Sequence, residues 1–355
     1  MTETNQQLDE LLTTAVQKGA SDVHLSPGYY PTIRIDNMLV PIAEGKLLSH
    51  QEIEAMAFAL LGKERKEKFL ETKEADFSYQ LGQQMRFRVN VYNTKSNVAI
   101  VLRYISNEIR TFADLHLPEQ LTIFSKLSQG FVLVAGPTGH GKSTTLAAIV
   151  QAINLERTEK IITIEDPIEY LFTPERSLID QREVGGDTLS FANALRATFR
   201  ENANVIMVGE LRDYETISAA VTAAETGHLV LASIHTNDAP QTIERILDIF
   251  PPNQQRQITS QLANTLSGVI SQRLIPATRG GLVPAVELMV ATTAVRNIIR
   301  TGKIEQLGIA IGTGAQSGMI SMNQSLASLV RNKQIAREQA EFYSSNANEL
   351  QTLLK

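Results

Sequence analysis

The chain has 355 residues, 43% of them hydrophobic, no cysteine and a formal charge of −5. That length predicts two domains with sizeable cores, and the missing cysteines exclude disulfides, thiolate metal sites and a cysteine nucleophile while fitting a reducing cytoplasm. The acidic balance argues against a protein whose main task is to neutralise a nucleic-acid backbone.

The first seven residues are polar and lack the basic and apolar segments of a signal peptide. No apolar run approaches the ~20 residues that cross a bilayer, so any membrane association is expected to come through a partner. Leu8, Leu11, Leu12, Ala15 and Val16 form a helical stripe that ends near Gly19. Short strands are expected at 32–35, 39–40 and 75–79, with a turn at Asp36-Asn37, and Ser49 to Glu52 reads as a capping box that opens a helix. Residues 85–92 alternate with period two: Arg86, Arg88 and Asn90 fall on one face, Phe87, Val89 and Val91 on the other. Another strand is expected at 98–104. These elements make an α+β domain over 1–106, and the weakly periodic stretch 107–118 reads as a linker.

Beyond it, over 119–355, the pattern becomes strand–helix alternation. Strands are expected at 131–135, 161–164, 205–208 and 229–233, with helices at 142–155, 190–199 and 213–226. Such alternation predicts a mostly parallel sheet covered by helices on both faces.

The first of these strands runs into Gly136-Pro137-Thr138-Gly139-His140-Gly141-Lys142-Ser143, followed by Thr144 and a helical segment. This is the phosphate-loop pattern in its strand–loop–helix setting. Glycines let backbone N–H groups curl around a β-phosphate, and the helix aims its positive end at the same anion. Lys142 is expected to reach the β/γ-phosphates of ATP or GTP, and Ser143 to hold Mg²⁺.

Three further strands end in polar groups, where open α/β sheets bind ligands. Residues 205–208 lead to Glu210, a carboxylate placed to face Mg²⁺ directly or through water. Residues 161–164 lead to Glu165, which could orient or deprotonate an attacking water. Residues 229–234 lead to His235, a neutral donor able to sense the γ-phosphate or the water. Each alone could merely cap a strand end. Together they match the needs of phosphoryl transfer.

Glu165-Asp166-Pro167-Ile168-Glu169 resembles the aspartate box, Val208-Gly209-Glu210-Leu211-Arg212-Asp213 the Walker B segment, and 224–228 through His235-Thr236 the histidine box of the secretion ATPases that power type II secretion and type IV pili. Ala20-Ser21-Asp22-Val23-His24-Leu25, Gln181-Arg182-Glu183-Val184-Gly185 and Ser271-Gln272-Arg273-Leu274 are similar to further family stretches. The resemblance runs nearly end to end and favours the pilus-retraction branch. It implies a RecA-like ATPase domain preceded by a smaller PAS-like domain, a ring of six subunits, and arginines from the first domain that help complete the site. Arg86, Arg88 and Arg103 are the residues on the matching strands; alternating arginines also suit the wet face of an antiparallel strand.

The chain departs from the family at His140, where serine is usual. That residue could add a pH-sensitive donor or face solvent, and solvent is the expected reading. Ile105-Ser106 lacks a proline that often follows this strand. Ala294-Val295-Arg296-Asn297-Ile298-Ile299-Arg300 resembles a signature of the retraction branch, with Val295 in place of isoleucine. Its period buries one face and projects Arg296 and Arg300 from another, which reads either as a solvated basic face or as a surface that couples hydrolysis to motion.

The resemblance thus implies an ATP-driven, Mg²⁺-dependent motor for pilus disassembly and twitching motility. It would be cytoplasmic and held at the inner membrane by a platform protein. An accessory retraction ATPase and a pilus-assembly or type II secretion ATPase are the alternatives within the family; relatives of the assembly kind commonly carry a four-cysteine zinc site. A RecA-like nucleic-acid translocase is the alternative outside it, though no basic or aromatic run suggests direct nucleic-acid contact.

Overall fold

The computed structural model describes residues 3–35, 38–42, 47–82 and 85–355; the turn expected at Asp36-Asn37 lies outside them. The chain divides into two compact units, Met1–Glu108 with Pro167–Leu171, and Ile109–Asp166 with Phe172–Lys355.

In the first unit, α1 (Glu3–Gln17) buries Leu8, Leu12 and Ala15. It precedes β1 (Asp22–Leu25), β2 (Thr32–Ile35) and β3 (Met38–Pro41). The capping box at Ser49 then opens α2 (His50–Thr72), which is interrupted at Gly62, where φ is 65°. β4 (Glu74–Leu81), β5 (Met85–Thr94) and β6 (Asn97–Ile105) complete an antiparallel sheet in the order β3-β2-β1-β6-β5-β4. The alternation in β5 does what its sequence requires, since Phe87, Val89 and Val91 are fully buried in the core shared with α1 and α2.

The second unit begins its sheet with β7 (Gly130–Ala135), followed by α3 (Lys142–Glu156), β8 (Lys160–Glu165), β9 (Leu178–Glu183), α4 (Phe191–Thr198), β10 (Val205–Val208), α5 (Tyr214–Glu225) and β11 (Leu229–Ile234). Ser190 and Asp213 cap α4 and α5 with their side chains, so the helices expected at 190–199 and 213–226 start one residue inside those ranges. After α6 (Ala239–Ile249) and α7 (Pro252–Thr265) come β12 (Leu266–Pro276) and β13 (Leu282–Val290), then α8 (Thr293–Arg300), α9 (Leu307–Thr313), α10 (Met322–Arg331), α11 (Arg337–Tyr343) and α12 (Ala347–Leu353).

The sheet order is β13-β12-β7-β11-β10-β8-β9, parallel except for the β12–β13 hairpin at one edge. Phe131, Leu133, Ile162, Ile206 and Val230 share one core with α4 to α9. Val132, Val134, Ile161, Val205 and Leu231, which alternate with them, are buried as well. Both faces are therefore covered, which explains why these strands read as continuous apolar runs.

Candidate active site

The loop between β7 and α3 runs against β12. Gly136 and Gly141 have φ of 152° and 80°. A Cβ on Gly136 would lie 2.6 Å from the backbone oxygen of Gln272, and one on Gly141 would lie 2.8 Å from its side-chain nitrogen. Only glycine fits either position. The arch leaves the first N–H groups of α3 without helical partners, which is the usual basis for phosphate binding. Lys142 is buried, and its ammonium donates to the carbonyl of Pro137 at 2.9 Å and to Nδ1 of His235 at 3.3 Å.

The sheet order brings the other polar strand ends alongside. β7, β11, β10 and β8 are consecutive neighbours, with Ala135 opposite Ile234, Ala232 opposite Val208, and Val208 opposite Ile164. The turn carrying Glu210 is pinned to both adjacent strands, by Gly209 N–H to Ile164 O and Leu211 N–H to Ser233 O, each at 2.8 Å. His235 then bridges Lys142 and Glu210. An ammonium can only donate, so Nδ1 of His235 accepts, and Nε2–H donates to Glu210 at 3.1 Å. The other Glu210 oxygen pairs with Arg212, and the carboxylate beside it holds that guanidinium above its ordinary pKa. Pro137, Thr138, Glu210, Arg212, His235 and Thr236 line a cleft of about 480 Å³.

Glu165 ends β8 as expected but is buried and does not line that cleft. Its Oε1 accepts from Thr163 Oγ1 at 2.7 Å and from Gln181 Nε2 at 3.3 Å. Gln181 in turn accepts from the backbone N–H of Phe172 at 2.9 Å, which fixes its carboxamide orientation.

Among the described residues no three acidic or histidine side chains group as a metal cage. Mg²⁺ takes one or two protein oxygens and completes its shell from phosphates and water. The Ser143 hydroxyl and the Glu210 carboxylate are hard oxygen donors of the required kind, so the residues present fit the ion.

Arg88 and Arg103 lie on β5 and β6 of the first unit, each already held by an aspartate. Arg88 makes a forked contact with Asp76, 2.6 Å at its shortest, and Arg103 Nε donates to Asp22 at 2.8 Å. Burial pushes the Asp22 carboxyl up, but Arg103 and Ser21 outweigh it and hold it below its ordinary pKa. Arg86 donates to Ser78 at 2.7 Å.

Three placements depart from what the sequence suggests. His140 does not simply face solvent: it is half-buried, and its Nδ1 accepts from the backbone N–H of Leu274 at 2.9 Å. Burial, then the charges of Arg273 and Lys142, hold its pKa below the ordinary imidazole value. Arg296 and Arg300 do not project together into solvent either. Arg296 reaches the last turn of α7, donating to the carbonyls of Ala263 at 2.9 Å and Asn264 at 2.6 Å, while Nε donates to Ala291 at 3.0 Å. Arg300 is exposed and donates to the side chain of Asn264 at 3.0 Å. Arg212 is a cleft residue that sequence reasoning passed over; its position two residues after Glu210 was the available signal.

A family model described as type II/IV secretion system protein matches residues 2–351. The chain belongs to the type II/IV secretion system proteins. Within this family it is similar to the type IV pilus retraction ATPase PilT of Pseudomonas aeruginosa, 42% identical over 94% of this chain and 96% of that protein. It is also similar to a twitching motility protein of Neisseria gonorrhoeae, 44% identical over 85% of this chain and 81% of that protein. A crystal structure of the pilus retraction motor PilT with bound ADP matches with a TM-score of 0.89 and 43% identity, covering 97% of this chain and 98% of that one. The family resemblance drawn from the motifs is borne out. Among the described residues no helix is long and apolar enough to cross a membrane.

Proposed function

We propose that this chain is an ATP-hydrolysing motor that drives retraction of type IV pili, working as a ring of six copies on the cytoplasmic face of the inner membrane and passing its movement to a membrane platform protein. The observation that carries the reading is the hydrogen-bonded chain Lys142–His235–Glu210 beside the phosphate loop, at the ends of adjacent parallel strands. Similarity to PilT over nearly the whole length supplies the biological setting.

The loop N–H groups and Lys142 bind the β- and γ-phosphates of ATP and neutralise their charge. Magnesium, when bound through Ser143 and Glu210, supplies Lewis-acid stabilisation of charge on the transferring phosphoryl group. Glu165, fixed by Thr163 and Gln181, orients the attacking water and takes up its proton as the water oxygen bonds to the γ-phosphorus and the bond from that phosphorus to the β,γ-bridging oxygen breaks, leaving ADP and phosphate. His235 reports the presence of the γ-phosphate. With triphosphate bound, Lys142 and Glu210 have new partners; after hydrolysis they return to His235. That difference in contacts is what lets turnover shift a conformational equilibrium. Arg88 and Arg103 serve a nucleotide held by a neighbouring copy, and Arg300 belongs to the output surface.

The experiment is deletion of the gene in its host. Accumulation of surface pili supports retraction, and their disappearance assigns the chain to assembly. Unchanged piliation with lost motility assigns it an accessory part. Phosphate release that single-stranded DNA leaves unaltered excludes a nucleic-acid translocase.

A further inference from the structure

β12 supports the phosphate loop at three separate points. The ladder between β12 and β7 ends at Ser271 opposite Ala135, where β7 turns away into the loop. Past that point Gln272 directs its backbone oxygen at Gly136. Its carboxamide accepts from Thr145 Oγ1 of α3 at 2.6 Å and donates to the backbone oxygen of His140 at 2.9 Å, and the two partners together fix which end is which. Two residues further on, the Leu274 N–H would be a strand-edge donor without a ladder partner, and the His140 side chain occupies it at 2.9 Å. An imidazole here does the work of a backbone carbonyl.

We infer that His140 is a positioning residue for nucleotide binding: its Nδ1 adds one rung to the β12 ladder and, together with Gln272, clamps the loop in the arch that presents its N–H groups to phosphate. Serine at this position is too short to reach across in the same way, so the clamp is a property of this chain rather than of the loop pattern, whose fifth position is unrestricted. Nδ1 can accept only while unprotonated. Lys142 on α3 and Arg273 on β12 are the charges that act on the ring, and both favour the neutral form.

The inference rests on the nucleotide-binding reading, and the test separates the two. Affinity for a fluorescent ADP analogue is measured at pH 8 on the full chain, with thermal unfolding as the check on folding. Failure of the unaltered chain to bind would end the nucleotide reading itself. His140→Asn puts a carboxamide oxygen in the place of Nδ1 and is expected to bind within about twofold of the unaltered chain. His140→Gln, whose acceptor sits one bond too far, and His140→Leu, which has none, are expected to bind roughly tenfold more weakly, the effect of one hydrogen bond. Lowering the pH should weaken the unaltered chain relative to His140→Asn, since phosphate titration affects both alike. Binding by folded Leu and Gln variants at unaltered affinity would overturn the inference. So would an Asn variant as weak as Leu, or an affinity ratio between the unaltered chain and Asn that ignores pH.

Discussion

The Lys142 ammonium donates to the carbonyl of Pro137 and to Nδ1 of His235, groups whose place a phosphate oxygen can take. Its charge is therefore held at the site before nucleotide arrives, at little cost in reorganisation. Lys142→Ala is expected to abolish measurable ATP binding and turnover, read by nucleotide affinity and phosphate release. Glu210→Gln and Glu165→Gln should bind ATP yet release phosphate on the order of 10²-fold more slowly, because a neutral amide keeps the shape but neither neutralises a cation nor accepts a proton. Near-normal phosphate release by either variant would remove that residue from the chemistry. Glu165 and Glu210 differ in setting, one buried behind Thr163 and Gln181 and the other open to the cleft with Arg212 and His235. Replacement of Glu210 should also perturb Arg212, which would lose its carboxylate partner.

At the scale of elements, α8 carries two arginines with separable tasks. Arg296 satisfies carbonyls in the last turn of α7, where helical partners run out and a cation opposes the helix dipole favourably. Arg296→Ala should therefore destabilise the second unit by roughly 2 kcal/mol, read in chemical unfolding. Arg300→Ala should leave stability and ATP hydrolysis near normal while retraction falls; normal retraction would make Arg300 an ordinary solvated residue. Sequence periodicity placed α8 and its buried Val295 and Ile299 correctly, yet it could not show Arg296 turning back onto α7, because that contact depends on a helix some thirty residues earlier in the chain. Other elements divide along the same line. The runs that became β7, β8, β10 and β11 were legible because burial on both faces leaves only apolar residues, and the phosphate loop because its glycines have no substitute. β9, written Leu-Ile-Asp-Gln-Arg-Glu, lies at a sheet edge with Lys160–Asp180 and Arg182–Glu201 ion pairs on it, and its polarity hid it. Gln272 stood out only as part of the family-like stretch Ser271 to Leu274, and the role of His140 was visible only once β12 lay beneath the loop.

Across the whole molecule, two properties depend on groups far apart in sequence. Glu287 on β13 is buried, accepts from the first N–H of α6 at 2.8 Å and from that of Met322 at the start of α10, and has its pKa pushed up to about 7, chiefly by burial. In the unfolded chain the group titrates near 4.5. Between those values the folded state keeps a proton that the unfolded state has lost, so stability falls as pH rises from 4.5 to about 7 and levels off above. Glu287→Gln should remove that slope and gain on the order of 3 kcal/mol relative to the unaltered chain between pH 5 and pH 8, measured by denaturant unfolding. Parallel curves for the two proteins would show that the carboxyl stays ionised. Arg88 and Arg103 make their prediction in assemblies: mixing an Arg103→Ala chain with a Lys142→Ala chain should recover phosphate release if an arginine serves a neighbour's nucleotide, and no recovery in proven mixed rings would count against action between copies. The hairpin of β12 and β13 has a mechanical meaning as well. One strand floors the phosphate loop; the other receives α10 through Glu287 and through Ser325, whose hydroxyl accepts from Val286 N–H at 2.9 Å. Nine consecutive residue pairs join the two strands with no break in register. A load pulling on the C-terminal helices is thus carried by a stiff beam directly to the floor of the nucleotide loop, so turnover in this motor should feel the force it works against.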